Sequence, residues 1–432
     1  MSRRDFLTGL ITGVLIAGFV VCVVLCIRIG KQIGEQKTPD NNSRGERASQ
    51  SAGAAGEPDK EITEPEEMPD VSDASVLSNP EIVGKVEALE DLIRENYIED
   101  ITEEDLADGL YSGLMESLND PYAAYYTPEE WLAMQQDTQG IYYGIGAYLT
   151  KDTETLYPKI TGIIRDTPAE ECGLLEDDII IEVGGEDVYD MDLSEVVAMI
   201  KGEEGTKVHL VLIRGYLTSD QEELEYDVER RRVETPTVSY EMMDGDIGYI
   251  QIAEFDSVTV GQFEEALANV KLANAKGLVL DLRSNPGGSV GAVVRIANML
   301  LPKGRIVYTV DKYGNEESYN SDGTHEIDIP MVVLVNGNSA SAAEILAGAI
   351  KDYGVGTLLG TQTFGKGIVQ QIFTLSDGSA MKLTVSHYYT PLGNDIHKVG
   401  IEPDVVVEFD RDAYLEDRSD NQLDAALEML RK

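Results

Sequence analysis

Cysteine, histidine and positive charge are what this 432-residue chain has least of, and each shortage excludes something. Of 3 cysteines, Cys22 and Cys26 fall in an apolar N-terminal run, leaving Cys172 alone in the remainder. No internal disulfide framework can be built, although one thiol tolerates an oxidising compartment. The 4 histidines, His209, His325, His387 and His397, are scattered with no second ligand at metal-binding spacing, so neither a metal nor another cofactor is expected. Lysine and arginine number 34 against 79 acidic residues, a formal net charge of −45. Charge of that sign and size repels DNA, RNA and anionic headgroups, which excludes nucleic acid as a partner. Most of these carboxylates read as a solvated surface.

Charge is missing altogether from Phe6 to Ile27, FLTGLITGVLIAGFVVCVVLCI, a run of 22 residues. A helix of that length spans about 33 Å, enough for a bilayer core. The run ends in Cys26-Ile27-Arg28 rather than a small-x-small site, so an uncleaved transmembrane anchor is expected at 6–27. Arg3 and Arg4 precede it while Arg28 and Lys31 follow, so the positive-inside rule decides orientation only weakly. The short tail at 1–5 then belongs in the cytoplasm, with the bulk of the chain extracytoplasmic at the cell membrane. Residues 28–78 form an acidic, flexible linker; from Lys37 to Ser78 almost no large apolar residue is available to offset conformational entropy.

The remainder divides by texture. In 79–136, Val83, Val86, Leu89, Leu92 and Ile93 recur at helical spacing, as do Leu106, Leu110, Leu114 and Leu118. In 137–234 short β-like runs dominate (145–149, 158–164, 178–183 and 207–213), with one helix near Leu193 to Lys201 and a turn at Gly184-Gly185. In 235–415 strands alternate with helices, which indicates an α/β layer buried on both faces: strands at 247–252, 277–282 and 331–335, helices near 260–273, 290–301 and 341–353. A last helix, Gln422 to Leu430, lies in 416–432. The apolar faces of 80–136 and of this last helix suit either a homodimer or docking on their own chain.

Three segments could carry chemistry. In NGNSASAAEILAGAIKDYG (336–354), Ser341 and Glu344 fit an S-x-x-E capping box, a purely structural use of the serine. The same helix N-terminus stabilises negative charge, so Ser341 is also a candidate nucleophile with the next N–H serving an oxyanion. In GTQTFGKG (360–367), Lys366 stands where a P-loop has lysine, but Gly367 replaces the magnesium-binding Ser or Thr and a strand follows, which argues against a nucleotide site. Flanking glycines instead suggest close backbone approach and a tightly placed amine. A lysine base must fall from about 10.4 to about 7–8, some 4 kcal/mol, and so needs a desolvated cleft. Gln370 could orient that amine or be an ordinary strand residue. LDLRSNPGGSVG (280–291) ends a strand in a turn whose N–H groups, at Gly287 or Gly288, could complete an oxyanion hole or simply connect strand to helix.

In order along the chain, SLNDPYAAYYTPEE (117–130), YYGIGAYL (142–149), DTPAEECGLLEDDIIIEVGG (166–185), LDLRSNPGGSV (280–290), NGNSASAAEILAGAI (336–350), TQTFGKGIVQQ (361–371) and YYTPLGNDIHKVGIEPDVVV (388–407) resemble the C-terminal processing peptidases, tail-specific Ser/Lys proteases. The resemblance implies an α/β protease core with an inserted, mostly-β PDZ domain, behind an N-terminal helical segment and the transmembrane helix. It implies Ser341 as nucleophile, Lys366 as general base, Gln370 in support, and an oxyanion hole at Ala342 and one of Gly287 and Gly288. It also implies that Tyr143, Gly144, Ile145 and Gly146 hold the C-terminus of an unfolded or flexible protein tail. A membrane-anchored PDZ scaffold without catalysis is the rival reading. A Ser/Lys amidase is a second, but its S-x-x-K spacing does not fit.

Overall fold

The structure, a computed structural model, describes residues 75–138, 140–324 and 329–431. The anchor expected at 6–27 and nearly all of the linker expected at 28–78 lie outside them. Among the described residues no helix is long and apolar enough to cross a membrane. The chain divides into two compact units: one contains Ile141–Glu234, the other the described residues before Ile141 and from Thr235 onward.

Helix α1 (Pro80–Asn96) starts where the Asn79 side chain accepts the Glu81 N–H, with proline at the first helical position. Helix α2 (Glu103–Glu116) opens on a capping box between Thr102 and Asp105. Neither buries a residue, and Leu89, Leu92, Leu110 and Leu114 are exposed. β1 (Ala124–Tyr126) and α3 (Pro128–Thr138) follow.

The Ile141–Glu234 unit comprises β2 (Ile141–Gly144), β3 (Ala147–Lys151), β4 (Pro158–Ile163), α4 (Pro168–Cys172), β5 (Ile179–Val183), β6 (Glu186–Asp187), α5 (Leu193–Ile200), β7 (Lys207–Arg214), β8 (Glu222–Glu229) and β9 (Arg231–Glu234). β2 pairs with β9, and β3-β4-β5-β7-β8 form an antiparallel sheet around Ile160, Ile180, Leu210, Leu212 and Val228. The strand expected at 145–149 begins only at Ala147, because Ile145 and Gly146 bend into a loop. Glutamates mask β8 in the sequence, yet Leu224, Tyr226 and Val228 alternate inward at the period of a half-buried strand.

The other unit continues with β10 (Val238–Met243), β11 (Ile247–Ile252), α6 (Thr259–Leu272), β12 (Gly277–Asp281), α7 (Val290–Leu300), β13 (Gly304–Asp311), β14 (Glu316–Ser321), β15 (Met331–Val335), α8 (Ala342–Tyr353), β16 (Thr357–Gly360), β17 (Ile368–Thr374), β18 (Ala380–Tyr389), β19 (Val405–Val406), α9 (Arg411–Asp417) and α10 (Asn421–Leu430). Its main sheet runs β10-β11-β12-β15-β16-β19, parallel from β11 onward. Both faces are covered, as continuous apolar strands require: Leu278, Leu280, Val333 and Val335 pack with α6, α7 and α8, while Val279, Val332 and Leu334 pack with α10. The alternation of strands and helices does not announce the second sheet, antiparallel β1-β18-β13-β14 with β17 on β18. Through it the segment after α2 is hydrogen-bonded into the unit, Ala124 opposite Lys382.

The last helix docks on its own chain, burying Ala426 and Leu427. An ion-pair network fixes its start. Arg283 reaches Asp281 at 2.6 Å and Asp420 at 2.8 Å, and its Nη1 donates to Gln422 Oε1 at 3.0 Å. Asp281 is fully buried and also accepts the Tyr249 hydroxyl at 2.8 Å. Removing one partner of such a pair strands a buried charge, at a cost of about 3–5 kcal/mol. Arg283→Met is therefore expected to lower the unfolding free energy of this unit, read from urea denaturation, by that amount; an unchanged value would mean the network is idle.

Candidate active site

Three loops leave the carboxyl ends of β12, β15 and β16, the edge where open α/β sheets place ligands. They are laced together by backbone bonds: Ala340 N–H to Asn285 O at 2.9 Å and Phe364 N–H to Ser339 O at 3.0 Å. The Ser339 hydroxyl adds a bond to Leu282 O at 2.8 Å.

Ser341 sits at the N-cap of α8 with φ 54° and ψ −116°. A non-glycine residue held there stores strain of order 1–3 kcal/mol and persists only where its surroundings enforce it. The enforcing group is Glu344, whose fully buried carboxylate accepts the Ser341 N–H at 2.9 Å. The same carboxylate accepts the Thr363 hydroxyl at 2.6 Å, the Gly365 N–H at 2.7 Å and the Lys366 N–H at 2.8 Å. The capping-box arrangement expected from sequence is present, and its half from the Ser341 N–H to Glu344 is a full hydrogen bond. The Ser341 hydroxyl lies in the box position but makes no cap hydrogen bond, which leaves it available.

Lys366 is half-buried between Gly365 and Gly367. A Cβ at either glycine would stand within 2.9 Å of the Gly400 N or 2.6 Å of the His397 N, so the backbones approach as the flanking glycines suggested. The amine lies 4.5 Å from the centre of the Tyr122 ring. Burial pushes this ammonium below the ordinary lysine value, Lys382 pushes the same way, and Asp120 opposes them. Gln370 is near but differently engaged: its Nε2 donates to the Tyr122 carbonyl at 2.6 Å. Buried Tyr388 ties the two sides, its hydroxyl 2.9 Å from Ser341 O and 2.6 Å from Lys366 O, and burial holds it well above the ordinary tyrosine pKa.

The glycine turn lies against the serine: a Cβ on Gly287 would be 2.6 Å from Ser341 Cβ and 2.9 Å from Ala342 N. The Gly287 N–H is already taken by Asn285 Oδ1 at 2.8 Å. The Gly287 carbonyl accepts the Phe255 N–H at 2.9 Å. Across a trans peptide the Gly288 N–H points the opposite way. Among the described residues it has no partner, and neither has the Ala342 N–H in the first turn of α8.

Within the Ile141–Glu234 unit a groove between β3 and α5 is lined by Gly144, Ile145, Gly146, Leu149, Val197 and Lys201. Tyr143 is not in its lining; Tyr142 is, with the Lys201 amine 5.2 Å from its ring centre. Glu344 as a bracket, Tyr122 and Tyr388 went unassigned from sequence, although all three lie in the segments that carried the resemblance. Acceptance of three N–H groups from two loops is visible only in three dimensions. Glu344→Gln keeps the shape but turns an amide donor toward some of those N–H groups. Losses of about 1–3 kcal/mol per unsatisfied buried group predict a lower melting temperature and at least a hundredfold less activity.

The family descriptions that match are "Peptidase family S41" at 246–407, "PDZ domain" at 159–214 and "Activating protease CtpB N-terminal domain" at 46–130. The chain is 37% identical over 323 residues to the carboxyl-terminal-processing protease of Synechocystis sp., covering 73% of this chain and 75% of that protein. It is 37% identical over 318 residues to the carboxy-terminal processing protease CtpA of Bacillus subtilis, covering 73% and 67%. Among solved structures, a photosystem II D1 C-terminal processing protease aligns at 31% identity over 74% of this chain and 86% of that one, with TM-score 0.45.

Proposed function

The chain belongs to the carboxyl-terminal processing proteases of peptidase family S41, and on that premise we propose a Ser/Lys dyad of Ser341 and Lys366 that cleaves exported proteins at or near their C-termini. The observation that carries the dyad is the Glu344 carboxylate, which binds the nucleophile's N–H and the lysine's N–H at once.

In this reading neutral Lys366 takes the Ser341 proton and Oγ attacks the scissile carbonyl. Negative charge on the tetrahedral oxygen falls to the Ala342 and Gly288 N–H groups, which have no other partner among the described residues. Lysine then protonates the leaving amine, and water, deprotonated by the same lysine, releases the acyl group. No hydrogen bond joins Lys366 Nζ to Ser341 Oγ among the described contacts; such bonds often tighten only once substrate is bound. Gln370 supports the site through the Tyr122 carbonyl rather than by a bond to the amine.

The groove beside Gly144, Ile145 and Gly146 is the proposed seat of the substrate tail, added as a strand to β3, with Lys201 at hand for the terminal carboxylate. The apolar run at 6–27 is proposed as the anchor that holds the enzyme at the cell membrane, its bulk extracytoplasmic.

Full-length protein in detergent, given an unstructured substrate with an apolar C-terminus, should cut it, with cleavage read by mass spectrometry. Ser341→Ala and Lys366→Ala should each lose at least a thousandfold of that activity. Cutting that survives Lys366→Ala would remove the lysine from the base role, and binding without cutting by the parent would favour the scaffold reading. Amidating the substrate's C-terminus should raise KM with little change in kcat. Equal KM for the free and amidated forms would dismiss carboxylate capture.

A further inference from the structure

Tyr122 touches both the proposed general base and Gln370, and its own position is fixed from both sides. Its ring centre lies 4.5 Å from Lys366 Nζ, and its carbonyl takes the Gln370 Nε2 at 2.6 Å. Its N–H donates to Asp120 Oδ1 at 3.0 Å, and two residues further on β1 is paired to β18 with Ala124 opposite Lys382. Among the described residues Lys366 Nζ has no hydrogen-bond or ion-pair partner, and its cation–π contact is with the Tyr122 ring.

We propose that Tyr122 is a positioning residue for Lys366: its ring keeps water off the amine, and its carbonyl orients the Gln370 amide beside it. The inference rests on the assignment of Lys366 as base. Two effects of the ring compete. Its quadrupole favours the ammonium, by under about one pKa unit where the site is partly open. Its bulk removes hydration, which in full burial lowers a lysine by up to roughly 3–5. Burial is the leading influence on Lys366 and the ring stands 4.5 Å from its amine, so in this proposal the ring's exclusion of water outweighs its quadrupole. The other groups acting on the amine are Lys382 from β18, which lowers its pKa, and Asp120 from the same turn as Tyr122, which raises it. Glu344 is spent on backbone N–H groups. The Tyr122 hydroxyl stays protonated, held up by burial, Asp120 and Glu344.

The test compares full-length parent, Tyr122→Phe and Tyr122→Ala in the pH profile of kcat/KM for one peptide. Parent and Tyr122→Phe should share an acidic limb. In Tyr122→Ala water reaches the amine, its pKa rises, and the limb should move up by about one pH unit, a tenfold loss at neutral pH largely recovered at high pH. Should Tyr122→Ala be too slow to profile, acylation of Lys366 by an amine reagent in the Ser341→Ala background, read by mass spectrometry, should show the same upward move. A uniform loss with an unmoved limb would leave only a structural role, and a downward move would mean that the ring stabilises the ammonium; either overturns the proposal. Activity that survives Lys366→Ala would sink the dyad instead, whatever Tyr122 does.

Discussion

One buried carboxylate organises the catalytic half of this molecule. Glu344 stands in the first turn of α8 and accepts four hydrogen bonds, from Ser341, Thr363, Gly365 and Lys366. One of these donors is the proposed base's own N–H, one is that of the glycine before it, and one belongs to the proposed nucleophile. A carboxylate at this depth is tolerable only because every donor is in place, and the donors are in place only because the carboxylate is there. The strained backbone of Ser341 goes with it: its N–H is held by Glu344 while its hydroxyl makes no cap hydrogen bond.

The sheet supplies what that interaction needs. Parallel strands buried on both faces end together, so the loops after β12, β15 and β16 leave from one edge and can bond to each other. Arg283 joins the end of the first loop's strand to the start of α10, which closes the sheet's second face. The antiparallel sheet brings Tyr388, Lys382 and, through β1, Tyr122 to the same place. Polar groups there are either fully paired or, like the Gly288 and Ala342 N–H groups, without a partner among the described residues.

Much of this was legible in the residues. The strands at 247–252 and 331–335 and the helix at 342–353 announced themselves by apolar runs and by small residues at a helix start. The glycines around Lys366 signalled close approach correctly. What stayed hidden depends on partners far apart in the chain. The antiparallel sheet pairs 124–126 with 380–382, and nothing local in either segment names the other. That the Gly287 N–H is already taken by Asn285 Oδ1 could not be read from the sequence. Gln370 could orient the amine or be an ordinary strand residue on sequence grounds, and its amide donates to a carbonyl 248 positions away. Of the four residues expected in the PDZ loop, Gly144, Ile145 and Gly146 line the groove and Tyr143 does not, while Tyr142 does.

The most direct test of a dyad in which Lys366 activates Ser341 is the pH dependence of labelling by a fluorophosphonate, a reagent that needs only an activated serine. The account predicts a single modified residue, Ser341. Its labelling rate should rise with pH through a pKa below that of ordinary lysine, and labelling should vanish in Lys366→Ala. Labelling at another serine, or at Ser341 with a rate indifferent to Lys366, would contradict it.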